Sequence, residues 1–351
     1  MRFFKFLGVI ICIAALCSGC WDKRELEDNV FAVLLGLDIS EDKGVTVTVA
    51  YPQTQPGGQD GEQADYAVMS AKANSFTDGL EMLRAELAGP LALHSVKTVV
   101  ISQEFAVRGG ISRALSELRR AQVKNTANIM VSAGAASDFI SARVKEPDVL
   151  RREELLLERA NGGVFYRPLM LLDLMINIMS ADSAAMYAVS ESEDGADDEG
   201  DGKAAEASAM AESSGKKGEP DMPVKSDGKT RICGLAVFRG DKMVGTLNSS
   251  EARIFIMLTG SKAKIKSRIE DGRPVFDITL LSDAENAPSL SDTRDFIEKI
   301  QREYGADILK LGNRPRVRNW RVNWREKYGE AEINVSIKII AVPHHKSPQT
   351  T

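Results

Sequence analysis

Residues able to do covalent or metal chemistry are few in this chain. Four cysteines and three histidines are spread over 351 residues. His344 and His345 lie in the C-terminal tail. A Ser-His-Asp triad would therefore have to use His94, which follows Leu91-Ala92-Leu93 just ahead of a predicted strand. A lone histidine in that setting is more often structural than catalytic. The patterns G-x-S-x-G, G-x-G-x-x-G, P-loop and H-E-x-x-H are absent. No Cys/His cluster has the spacing of a zinc site, and no pair stands out among the 50 acidic residues. The sequence thus offers no catalytic residue, no metal ligand and no cofactor motif. It points to binding, anchoring or signalling, and to a protein that is not an enzyme.

One thiol is different. Arg2 and Lys5 precede an uncharged apolar run, Phe6 to Leu16, and the small residues Ser18 and Gly19 then lead into Cys20. That is the layout of a secretory signal, and the run is short for a membrane span. Small residues at the two positions before a cysteine resemble the lipobox of bacterial lipoproteins. In such signals the thiol receives a diacylglyceryl group, and a peptidase cleaves before it. The position three before Cys20, usually Leu, is Cys17. Cys12 and Cys17 themselves lack a small pair ahead of them. Cys20 is therefore the expected lipidation site and mature N-terminus. Cleavage would leave only Cys20 and Cys233, so no disulfide is expected. Cys233 reads as a small buried hydrophobe. Two acyl chains anchor stably where one binds marginally.

The elements that follow read as mixed α and β. Val30–Ile39 and the alternating Val45, Val47 and Val49 suggest a hairpin with one half-buried strand. Pro52–Gly61 is a loop. Strands are predicted at 66–73, 96–102 and 128–132, alternating with a helix capped by Ser75 and another after Gly109-Gly110. Parallel pairing through crossovers fits that alternation. Helices are predicted over 150–160 and from Pro168 to about Met179, the second rich in Leu and Met. Such a face is usually core; a partner groove is the sharper alternative. Residues 190–229 are acidic, without aromatics or a β-branched run, and read as a disordered linker. The calcium-loop pattern is not in register there.

After the linker, 232–238 and 243–247 flank Arg239-Gly240-Asp241-Lys242 as a hairpin. Arg239-Gly240-Asp241 is an integrin motif elsewhere and reads here as turn chemistry. A helix over 251–258, a strand over 274–280, a helix capped by Ser291 and a half-buried strand over 331–342 complete the chain. Trp320, Trp324 and Tyr328 fall at i, i+4 and i+8. They suit core packing better than a carbohydrate platform. The fold class is α+β, a multi-domain chain with mixed β-sheets flanked by helices, in two to three domains. The divisions are a signal at 1–19, an N-terminal region at 20–189, the linker at 190–229, a C-terminal domain at 230–345 and a tail at 346–351. A formal net charge of −5 builds no field to attract nucleic acid.

The start Cys20-Trp21-Asp22-Lys23-Arg24-Glu25-Leu26 resembles the GCWD-[KR]-RE-[LI] opening of the Ger(x)C spore germination lipoproteins, the C subunits of GerA-type germinant receptors. The similarity continues through VLLGLDIS and SVKTVVISQEFAVRGG, resumes at CGLAVFRGDKMVGTLNSSE, and reaches DILKLGNRPRV and NWRVNW. The region between Leu280 and Asp307 looks shortened against the family pattern, and the acidic linker expanded. The resemblance implies a three-domain mixed α/β lipoprotein on the outer leaflet of the spore's inner membrane. It implies partners: the transmembrane A and B subunits of the receptor, and the lipid membrane through a diacylglyceryl anchor. Small nutrients are ligands of that complex. Their recognition is generally ascribed to the membrane subunits, so the C subunit is expected in assembly or coupling, and no ligand residue carries over. Two other readings stand beside this one. A solute-binding lipoprotein of a transporter would show two lobes and no long acidic linker. An anchored cell-wall hydrolase would need a catalytic carboxylate that the sequence does not single out.

Overall fold

The structure is a computed structural model that describes residues 29–40, 44–53, 65–108, 110–146, 148–158, 168–180, 182–190, 230–283, 286–314 and 324–339. Cys20 and the GCWDKREL start, Trp320, His344, His345 and the acidic stretch 191–229 lie outside the described residues.

Fourteen strands are described: β1 Val30–Phe31, β2 Leu34–Ile39, β3 Val45–Pro52, β4 Tyr66–Ala73, β5 Leu91–Ala92, β6 Thr98–Ser102, β7 Asn128–Ser132, β8 Leu169–Met170, β9 Ser183–Ser190, β10 Thr230–Arg239, β11 Lys242–Asn248, β12 Ala263–Glu270, β13 Arg273–Ser282 and β14 Glu332–Ile339. The helices are α1 Phe76–Glu86, α2 Gln103–Arg108, α3 Ile111–Arg120, α4 Ala136–Arg143, α5 Val149–Glu158, α6 Leu171–Ser180, α7 Ser249–Thr259, α8 Leu290–Glu298 and α9 Trp324–Lys327. Short 3₁₀ turns and one π-turn after α8 connect some of them. Mixed sheets flanked by helices make the chain α+β.

The large sheet runs β11-β10-β9-β7-β6-β2-β3-β4, with β8 added against β7. The middle strands β9, β7, β6 and β2 are parallel, and antiparallel hairpins close both ends. Near-continuous apolar runs such as Thr98–Ser102 are what a strand covered on both faces requires. One face packs Leu35, Leu37, Val99, Ile101, Ile129 and Val131 against α1, α2, α3 and α6. The other packs Leu34, Val100, Met130 and Met186 against α4 and α5. At its β10–β11 end that second face meets a further core built from α7, α8 and the small sheet β12-β13-β14.

Strand β10 is therefore shared. Ala236 and Phe238 belong to the first core, while Leu235 and Val237 belong to the C-terminal one. Because β10 pairs with β9 from Thr230↔Ser190 to Phe238↔Ser183, the sheet is continuous across the expected linker. The hairpin drawn from sequence as the start of a C-terminal domain is thus also the end of the N-terminal sheet.

Several local expectations shift. β3 is buried on both faces, because Thr48 sits beneath α4 and hydrogen-bonds Ser70. The helix expected from Pro168 begins at Leu171, after the short pairing of β8 with β7. Ser289 caps α8, two residues before the expected Ser291. The helices α2 and α4 and the strands β9 and β12 were not anticipated from the sequence.

Candidate functional site: the junction at the Arg239–Asp241 turn

The β10–β11 turn holds three parts of the molecule together. Gly240 has φ +59°, a left-handed backbone that glycine adopts without cost. Its N–H donates to Asp182 Oδ1 at 2.9 Å. The Asp241 carboxylate accepts from the Gly110 N–H at 3.3 Å and from Ser112 Oγ at 2.8 Å, so it holds the N-terminal turn of α3. The Arg239 guanidinium lies over Gly305, where a Cβ would come within 3.2 Å of Nη1. Each residue of the tripeptide thus meets a different element, which accounts for it as structural chemistry.

Asp182 then reaches the C-terminal core. Its Oδ2 accepts the Asp307 N–H at 2.7 Å. The Asp307 carboxylate accepts from Leu311 N at 2.9 Å, Gly312 N at 2.8 Å and Trp324 Nε1 at 2.8 Å. Burial pushes Asp307 up to about 6; its three N–H partners pull the other way, and the nearby Asp182 charge adds to the rise. The Trp324 ring closes over Gly312, where any Cβ would meet Cδ1 at 2.2 Å. Trp324 packs edge-on to Phe276, with centroids 5.7 Å apart, and tilted against Tyr328 at 5.5 Å. Burial raises the Tyr328 hydroxyl's pKa. Gln301 Nε2 donates to the carbonyls of Tyr328 and Ala331 at 2.8 and 2.7 Å, and Lys310 Nζ donates to Asn177 of α6 at 3.2 Å. The part of the aromatic stripe that is described, Trp324 and Tyr328, is core packing.

A second polar cluster lies where the chain re-enters at Thr230. Arg143 sits buried between two buried carboxylates, donating to Glu153 Oε1 at 3.1 and 3.0 Å and to Glu146 Oε2 at 2.9 Å. Glu146 Oε1 also accepts from Thr230 N and Oγ1, at 2.9 and 2.5 Å. Arg152 pairs with Glu146, and the Thr98 hydroxyl donates to Glu153. Elements α4, α5, β6 and β10 are thereby joined by charge-assisted hydrogen bonds whose donors and acceptors are matched.

These carboxylates are fixed acceptors saturated with N–H and O–H donors. They position elements. Cys20, the one sequence-predicted site, lies outside the described residues. His94 is exposed and edge-on to Phe31 at 6.0 Å. Cys233 is half-buried, with Sγ 3.5 Å from the Tyr187 carbonyl, where burial raises the thiol's pKa and keeps it protonated. Among the described residues no group of three or more His, Cys, Asp or Glu could hold a metal ion. Sequence reasoning missed Asp182, Asp307, Arg143, Glu146 and Glu153. The available signal was weak: single charges set in apolar runs, as in GADILKLG.

The chain belongs to the Ger(x)C family of spore germination proteins: residues 22–190 match the family model described as the spore germination protein N-terminal domain. Its curated relatives are from Bacillus subtilis (strain 168). It is 21% identical to spore germination protein B3 over 96% of this chain and 97% of B3. It is 26% identical to the putative spore germination protein YfkR over 72% of this chain, a stretch that spans 59% of YfkR. It is also 26% identical to spore germination protein KC, over 36% of this chain and 33% of KC. Among solved structures it is similar to that of the GerBC protein, with TM-score 0.46 and 16% identity over 88% of this chain and 97% of that one.

Proposed function

We propose that this chain is a membrane-anchored lipoprotein subunit of a nutrient germinant receptor, and that it acts in receptor assembly or signal coupling without catalysing a reaction. The observation that carries the reading is the end-to-end correspondence with spore germination protein B3. The family match also begins at Asp22, directly behind Cys20 and Trp21. On this reading Cys20 carries the diacylglyceryl group and holds the chain at the extracytoplasmic face of the spore's inner membrane. The proposed domain plan is signal 1–19, N-terminal region 20–189, acidic linker 190–229 and C-terminal domain 230–345, with β10 of the last also completing the N-terminal sheet. Among the described residues no helix is long and apolar enough to cross a membrane.

The junction supports a coupling role physically. Its polar contacts join the large sheet to the C-terminal core, so a force applied to one is carried to the other. The partners are the two membrane-spanning subunits, which bind the nutrient. Deletion of the gene should abolish germination by nutrients and leave germination by exogenous dipicolinate intact. A deletion strain with a normal nutrient response would refute the proposal.

A further inference from the structure

The edge of the large sheet where the chain enters carries a surface that the junction does not use. Strands β2, β6, β7 and β9 run parallel, so their starting residues Leu34, Thr98, Asn128 and Ser183 mark one edge. The described chain begins at that edge with Asn29, and the Val30 N–H donates to the Pro90 carbonyl at 3.0 Å. Helix α3 ends there on the exposed Arg119 and Arg120, and the exposed Lys124 follows. Helix α6 starts there too: Leu171 N and Leu172 N donate to the carbonyls of Ala127 and Asn125 at 2.8 and 3.0 Å.

The two sides of α6 differ. Leu171 and Leu174 turn into the core. Leu172 and Ile176, one helical turn apart, are 45% and 55% exposed, and Met170 beside them is 38% exposed. Arg119 and Arg120 line an open cleft of about 400 Å³ together with Ser116 and Met175. One acid, Asp173, is exposed on the same helix. Scattered apolar side chains on a surface need no explanation. Three of them within seven residues, flanked by three cations, form an apolar patch with a basic rim, which suits a surface that is both greasy and negative.

Chain length says what that surface is. From Cys20 to Asn29 is nine residues, which fully extended reach at most ~30 Å. An acylated Cys20 would hold this edge, and no other edge of the sheet as closely, within that distance of the bilayer. We infer that the edge formed by the end of α3 and the start of α6 docks on an anionic phospholipid bilayer. Leu172, Ile176 and Met170 enter the interfacial layer, and Arg119, Arg120 and Lys124 meet lipid phosphates. The inference takes its geometry from the lipoprotein reading proposed above, while its chemistry stands on the patch itself. It fixes the orientation of the protein on the membrane, which an anchor alone would leave free.

A photo-crosslinking residue placed at Ile176, with Lys266 on β12 as the control position, tests this in the full-length chain. The protein is reconstituted on vesicles of phosphatidylglycerol or of phosphatidylcholine, and lipid adducts are counted by mass spectrometry. Adducts should form at Ile176 and not at Lys266, and more on phosphatidylglycerol. The pair Arg119→Glu and Arg120→Glu should lower the yield at least about tenfold, since two charges that attract lipid phosphates become two that repel them. Equal yields at the two positions, or a yield indifferent to the charge reversal, would overturn the inference. Adducts to protein instead of lipid in spore membranes would overturn it as well. The mass at Cys20 in the same samples judges the anchor separately. An unmodified Cys20 with Ile176 still crosslinked would sink the anchor and leave the surface standing.

Discussion

Asp307 carries the chemistry of the junction, and Arg143 that of the second polar cluster. Asp307 is pushed up to about 6, above its ordinary value of 3.8, chiefly by burial. The folded state therefore holds this proton more tightly than the unfolded chain does. The sign follows from linkage: the resulting stability is fully present below the unfolded value and is lost as pH rises through about 6. The chain should gain stability on acidification from pH 7 toward 4.5 by an increment that Asp307→Asn lacks, read as the pH dependence of Tm in the two proteins. Equal slopes would contradict the assignment. Arg143 is simpler. Replacing it by Met leaves Glu153 buried with its charge uncompensated and Glu146 with Arg152 as its remaining cation, which typically costs ~3–5 kcal/mol. Urea unfolding should show a loss of that order, and Arg143→Lys should recover little, because one ammonium cannot reproduce the contacts to both carboxylates.

At the scale of elements, much of the secondary structure was legible and its coupling was not. The β2–β3 and β10–β11 hairpins, β4, β6, β7, β13, β14 and the Ser75-capped α1 follow from alternation, apolar runs and a local cap. Helix α4 was invisible for a physical reason. Its N-cap residue is Ala135, and its first N–H groups bond instead to Asp38 on β2, at 2.6 and 3.0 Å. Helix α3 was legible after Gly109-Gly110, although its start also takes a partner from far along the chain, Asp241. Caps supplied from a distance leave no local pattern. Strand β9 (SAAMYAVS) was missed because its alanines give little contrast, yet it lies between β7 and β10 and makes the sheet continuous. Asp38→Ala should cost ~1–2 kcal/mol through the lost cap. The sharing of β10 carries a stronger expectation. Phe238→Ala, at a fully buried site, should cost ~3–5 kcal/mol and leave a single thermal transition, because β10 serves both cores. Two separated transitions in calorimetry would show that the large sheet and the C-terminal core unfold independently.

At the scale of the whole molecule, the family and the α+β class were legible in a few motifs, and the architecture was not. The division at the acidic stretch is read from the change of composition there. The backbone pairs across it, from Thr230↔Ser190 onward, and the two cores meet on the strand that follows. The proposed role, a subunit held at a membrane that couples its partners, would use that continuity to carry strain from one core to the other. Cys20→Ala should release it from the membrane fraction and remove metabolic labelling by palmitate; labelling that persists would place the acyl group elsewhere. The central claim is that the chain works inside a receptor. It is tested most directly by affinity purification of the full-length protein from detergent-solubilised spore membranes. Two multi-span membrane subunits should come with it in reproducible amounts. Recovery of the chain alone, under conditions that keep membrane complexes intact, would contradict the account.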